Sequence, residues 1–159
     1  IFIKKSHIEN VKNRKIDYKD SYENIIRIIK GTNFNYFSNE SQNIFFSETY
    51  SVTRLVDRMG MRLEGPTLEN IVNTNIKSEG LIRGVIQVPP DGKPIILLSD
   101  HGTIGGYPKI GVVISADLDK VAQLAPGSNI QFKEVNLEEA EKLFKDYTIE
   151  TKKYLNEHS

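Results

Sequence analysis

Along this chain apolar residues fall mostly in short runs with a period near two, and turn residues break the runs. That pattern predicts strands more than helices. The densest runs are Leu81 to Val88 and Pro94 to Leu98. Their Val85, Ile86, Val88, Ile95, Ile96, Leu97 and Leu98 suit a buried pleated surface. Pro89-Pro90-Asp91-Gly92 lies between them. Two prolines stop strand pairing and Asp-Gly accepts a turn, so the stretch reads as a hairpin. Asn24 to Lys30 is a further strand, closed by Gly31. Tyr50, Val52, Arg54, Val56, Met59, Met61 and Leu63 alternate with polar residues, with an interruption near Asp57-Arg58 and an end at Gly65-Pro66. Ile110 to Ile114 and the alternation Ile130, Phe132, Val135 add two more strands. Ile1-Phe2-Ile3 reads as a short strand before a polar, basic connection, and Leu68 to Ile76 is irregular.

Helix signals are fewer. Ser38 is placed to cap a short helix that has Glu40 in its first turn and Ile44, Phe45 and Phe46 entering the core. Asp117 can cap a brief helix with Leu118, Val121, Ala122 and Ala125 on one face, stopped by Pro126-Gly127. Asn136 with Glu139 forms a capping box. Beyond it Ala140, Leu143, Phe144, Tyr147, Thr151, Tyr154 and Leu155 recur at helical spacing. The expected fold is mainly β: a compact β-barrel with peripheral short helices and a C-terminal amphipathic helix. Residues 1–21 are assigned to an N-terminal strand and connection, 22–136 to the barrel and 137–159 to the helix.

At 159 residues the chain can bury a real core as one domain. Lysine plus arginine and aspartate plus glutamate both number 21, so the net charge is zero. That argues against nucleic acid or an anionic membrane as the main partner. The absence of cysteine removes disulfides, a thiolate nucleophile and zinc–thiolate sites. No apolar run approaches a membrane span and no secretion signal is present, so a cytoplasmic location is the default. The first residue is Ile1, which suggests a piece of something longer.

Candidate chemistry follows the hairpin directly, in Asp100-His101-Gly102-Thr103-Ile104-Gly105-Gly106-Tyr107-Pro108. Glycines at 102, 105 and 106 imply a backbone that other groups approach closely. His101 could be a general base near neutral pH. Adjacent residues on an extended chain point to opposite sides, so Asp100 need not assist it. Gly105-Gly106-Tyr107-Pro108 is either an amide cradle for an anionic or planar group or a tight turn into the next strand. Asp57-Arg58 and Arg62-Glu64 are structural ion pairs or a substrate clamp. Gln87 interrupts an apolar run and needs a partner if it points inward. One internal histidine without ligand spacing speaks against a metal site.

These residues resemble a known family. Asp57-Arg58-Met59-Gly60-Met61-Arg62-Leu63-Glu64-Gly65-Pro66 is similar to the DRMGxRLxGP segment of the C subunit of 5-oxoprolinase, also labelled allophanate hydrolase subunit 2 or biotin-dependent carboxyltransferase-like protein. Ser78-Glu79-Gly80, Gly84-Val85-Ile86-Gln87-Val88-Pro89-Pro90-Asp91-Gly92 with Pro94-Ile95, and Gly105-Gly106-Tyr107-Pro108-Lys109-Ile110 match its SEG, GxIQVPPDGxPI and GGYPKI runs. The likeness continues through Asp117-Leu118, Ala122-Gln123-Leu124 and Pro126-Gly127, and runs in order from about Ile25 to Phe132. Two departures stand out. Gly102 replaces the glutamine of the family's usual DxQT, and the family's N-terminal half has no counterpart here.

The resemblance implies a cyclophilin-like β-barrel whose cleft is completed by companion domains. It implies ATP-dependent opening of the 5-oxoproline lactam to glutamate, with two companion subunits as partners, one ATP-using and one cyclophilin-like. No cofactor is assigned to this chain itself; ATP is used by the assembled enzyme. Such chemistry needs a base for water, donors for an oxyanion and cations for phosphate. The nominated acid/base residues are Asp100 and His101. The nominated substrate contacts are Arg58, Arg62, Gln87, Thr103, Gly105, Gly106, Tyr107 and Lys109. Two other roles fit the same resemblance: a carboxyltransferase-type domain of a biotin-dependent urea carboxylase, and a non-enzymatic antagonist that binds the inhibitor of a sensor kinase.

Overall fold

A computed structural model describes residues 24–72 and 76–157, with side chains through Lys153. The strand and connection expected at 1–21 lie outside the described residues. Seven strands close a barrel in the order β1 (Ile25–Lys30), β8 (Lys109–Val113), β5 (Val85–Gln87), β6 (Ile95–Leu97), β3 (Gly60–Glu64), β2 (Tyr50–Val56) and β9 (Asn129–Glu134). Neighbours are antiparallel except β1 and β9, whose parallel pairing, Ile25↔Gln131 to Ile28↔Glu134, closes the ring. A separate two-stranded ribbon joins β4 (Glu79–Gly80) to β7 (Ile104–Gly105).

Period-two alternation fills the barrel. Ile26, Ile28, Val52, Met61, Leu63, Ile86, Ile96, Ile110, Ile130 and Phe132 belong to one buried cluster. The helix α1 (Asn39–Ser47) closes one end, started by the Ser38 hydroxyl, which accepts from Ser41 N at 3.2 Å. Phe45 from this helix stacks on Phe132 at 4.5 Å, with Tyr50 against both. Burial there, with the Glu48 carboxylate nearby, pushes the Tyr50 phenol above its ordinary pKa.

The expected hairpin forms, but its strands are shorter than the apolar runs. Val85 N donates to Ile82 O in a turn, so the chain joins the barrel only from Gly84 and Val85; Gly84 N donates to Leu97 O, and its carbonyl accepts from Val113 N. Gly92 takes the left-handed conformation (φ +71°) that the turn requires, and its amide donates to Pro89 O. The interruption at Asp57-Arg58 is a chain reversal, so the run from Tyr50 to Leu63 is two antiparallel strands. Met59, at the reversal, is exposed, whereas Met61 and Leu63 are buried.

Two helix expectations are corrected. The helix α2 (Leu118–Ala122) follows Asp117, but the Asp117 side chain does not cap it. Its carboxylate is fully buried and accepts from Arg27 N at 2.8 Å, from Arg27 Nε at 3.0 Å and from a terminal guanidinium nitrogen. Hydrogen bonding to Asp117 raises the Arg27 pKa further, against the opposing effect of burial. With so short a helix, only Val121 is buried, and Ala125 remains exposed. The terminal helix α3 (Leu137–Glu157) starts as expected, with Glu139 N on Asn136 Oδ1 at 2.8 Å. Its apolar packing comes from its first turns, where Ala140 and Leu143 meet Ile29, Ile114, Ala116 and Val135; Phe144 is 46% exposed, and Tyr147 donates its hydroxyl to Asp119 Oδ2 at 2.5 Å. Tyr154 and Leu155 lie beyond the described side chains. Among the described residues no helix is long and apolar enough to cross a membrane.

The two classes of ion pair separate by burial. Asp117→Asn leaves the partly buried Arg27 without its charge partner and is expected to lower unfolding stability by about 2–4 kcal/mol. Arg58→Ala, in a pair whose arginine is 86% exposed, should cost under about 0.5 kcal/mol. Urea denaturation of both variants checks this, and equal losses would contradict it.

Candidate functional site

Alternation that sends Ile86, Ile96 and Met61 into the barrel sends their neighbours outward. Gln87 faces Ile95 across β5–β6, and Arg62 faces Ile95 across β3–β6, so these three side chains form one outward rung. Gly60 and Leu97 form the next rung. The β4–β7 ribbon packs against this wall. A Cβ at Gly105 would lie 2.9 Å from both Gln87 Nε2 and Leu81 Cδ1, so the ribbon backbone rests directly on these two side-chain tips. Gln87 is therefore buried although it faces away from the barrel, and its amide donates to Tyr107 O at 3.3 Å. Between wall, ribbon and the end of β2 lies a cleft of about 740 Å³.

His101, Gly105, Gly106, Tyr107, Gln87 and Arg62 all line this cleft. The His101 Nδ1 lies 2.6 Å from Gly102 O. A carbonyl can only accept, so Nδ1 carries a proton, and in the neutral ring the lone pair is the one on Nε2. Arg62 is fixed by Asp91 at 2.9 Å, which ties the wall to the β5–β6 turn.

Four nominated residues lie elsewhere. Asp100 pairs with Arg58 at 2.7 Å, and the two face a separate pocket of about 470 Å³ with Ser99 and Arg83. Asp100 and His101 thus part company, but at a turn, closed by His101 N donating to Leu98 O at 3.3 Å, and not on the extended segment expected. Lys109 is buried in an ion pair with Glu79 of β4, and its backbone N–H donates to Asn33 Oδ1 at 3.0 Å. Thr103 does not line the cleft; its carbonyl accepts from Leu81 N and extends the ribbon. The doublets Asp57-Arg58 and Arg62-Glu64 are not internal pairs. Asp57 accepts from Met59 N and Gly60 N in its own turn, and Glu64 pairs with Lys93.

Sequence reasoning missed Arg54, Leu55, Leu81 and Ile104, which also line the cleft. Arg54 looked like one member of an alternating strand. The register runs Val52↔Leu63 and then Val56↔Met61, so residues 53–55 bulge opposite Arg62 alone. No periodicity signals such a bulge.

The model of the carboxyltransferase domain, subdomain A and B, matches residues 3–134. The chain belongs to that family. It is 39% identical over 123 residues to the 5-oxoprolinase C subunit of Escherichia coli, covering 77% of this chain and 40% of that protein. It is 42% identical over 119 residues to the 5-oxoprolinase C subunit of Haemophilus influenzae, covering 75% and 38%. The urea amidolyase crystal structure from K. lactis superposes with a TM-score of 0.74 at 27% identity, over 78% of this chain and 8% of that one. The chain therefore spans about two-fifths of the length of the two curated 5-oxoprolinase relatives.

The Glu79–Lys109 pair fastens the ribbon to the barrel. Glu79→Gln leaves the Lys109 charge 7% exposed and without a carboxylate. The expected loss is about 2 kcal/mol, below that of a fully buried pair because Glu79 is half-exposed. The double variant Glu79→Gln/Lys109→Met should recover much of it. Urea denaturation reads both, and an unchanged midpoint for Glu79→Gln would contradict the role.

Proposed function

We propose that this chain is the barrel portion of a 5-oxoprolinase C subunit. It works in an ATP-dependent assembly with two companions, an ATP-using subunit and a cyclophilin-like one. The observation that carries the reading is the 39% and 42% identity to two such C subunits across three-quarters of the chain. An assembly that consumes ATP belongs in the cytoplasm. The substrate lies in the outer-wall cleft, and the chain alone is inactive.

Lactam opening must overcome amide resonance. Transfer of a phosphoryl group from ATP to the lactam oxygen makes the ring carbon electrophilic. His101 Nε2 takes a proton from water as the water oxygen bonds to that carbon. Collapse of the adduct breaks the ring C–N bond as the nitrogen takes a proton and leaves an acyl phosphate; a second water then displaces phosphate from that carbonyl, and glutamate results. Gly105, Gly106 and Tyr107 border the reacting group, and Arg62, held by Asp91, offsets negative charge. Asp100 pairs with Arg58 away from the cleft and supports the loop without touching substrate.

A carboxyltransferase reading has its own support in the likeness to urea amidolyase. The test is reconstitution of the full-length protein with its two companion subunits, with glutamate release from 5-oxoproline measured with and without ATP. The expected result is ATP-dependent release, reduced roughly 100-fold or more in His101→Ala with the assembly intact. A stable assembly that releases no glutamate overturns the reading, and biotin-dependent carboxylation of urea in its place would establish the alternative.

A further inference from the structure

The β2 bulge presents a cation that nothing in the fold uses. Thr53 clamps the bulge, donating from Oγ1 to Arg62 O at 2.9 Å and accepting from Leu55 N at 3.1 Å. Bulges re-aim side chains, and here Arg54 and Leu55 reach the cleft. The other cations near the wall are committed: Arg62 to Asp91, Lys93 to Glu64, Lys109 to Glu79 and Arg58 to Asp100. Asp57, the acidic residue of the cleft lining, is occupied by two amides of its own turn. Arg54 has no hydrogen-bond or ion-pair partner among the described residues. Around it the cleft carries large apolar side chains left open to solvent: Leu55 at 68%, Met59 at 56% and Ile104 at 66% exposed.

We propose that Arg54 is the specificity-determining residue of the cleft, reading the carboxylate of a small organic acid whose apolar ring rests on Leu55, Met59 and Ile104. The planar guanidinium offers two parallel donors that match a carboxylate, a geometry a carboxamide cannot satisfy as well. Arg54 makes no contact with the reacting bond; it sets which ring is held with its carbonyl toward His101. This rests on the cleft being the substrate site of the proposed 5-oxoprolinase component.

Two measurements separate the claims. In the reconstituted assembly, Arg54→Gln is expected to raise the KM for L-5-oxoproline roughly tenfold or more, with kcat within about threefold. Arg54→Lys should recover part of the loss. An active assembly whose KM is unchanged in Arg54→Gln overturns the role of Arg54 and leaves the oxoprolinase reading standing. The second measurement needs no turnover: NMR titration of the chain, following the Arg54 side-chain Nε–H signal. That signal should shift with L-5-oxoproline and stay in place with L-5-oxoprolinamide. Equal shifts with both compounds, or none with either, overturn the proposal even where the assembly proves inactive.

Discussion

The antiparallel register of β5, β6 and β3 is the constraint on which the rest depends. Once Ile86 faces Ile96 and Ile96 faces Met61, three apolar side chains share the barrel interior. The pleat then leaves no choice for Gln87, Ile95 and Arg62, which must stand together on the outer wall. A slip of one residue would expose the core row and bury the arginine. The same pairing thus fixes the core and the cleft floor, and neither can change without the other.

Barrel closure and ribbon attachment rest on different physics. The parallel β1–β9 pairing closes the ring through backbone bonds, with Phe45, Tyr50 and Phe132 packed beneath. The ribbon pairs only with itself. It is held by the glycine contact with Gln87, the Gln87–Tyr107 bond and the Glu79–Lys109 pair. A wall fixed by a few polar contacts is more readily moved than a barrel strand, and in this protein that wall borders the proposed site.

Much of this was legible in the residues. Alternation located the barrel strands, Ser38 and Asn136 marked two helix starts, and the glycine-rich run marked one side of the cleft. The illegible part has specific causes. Asp117 has the sequence signature of a cap, but Arg27, ninety residues away, claims its carboxylate. Lys109 reads as a substrate contact until β4 brings Glu79 to it. Arg54 fits a strand alternation, and only the register of its partner strand exposes the bulge. Each case turns on a contact between distant segments, which local pattern cannot encode.

The most direct test of the central claim is a crystal structure of the full-length protein assembled with its companions and bound to 5-oxoproline. The account predicts ligand over the Gln87–Ile95–Arg62 rung, with its ring carbonyl carbon within reach of a water held by His101 Nε2. Ligand in the second cleft beneath α3, beside Lys120 and Glu150, or a rung left covered by a companion chain, would contradict it.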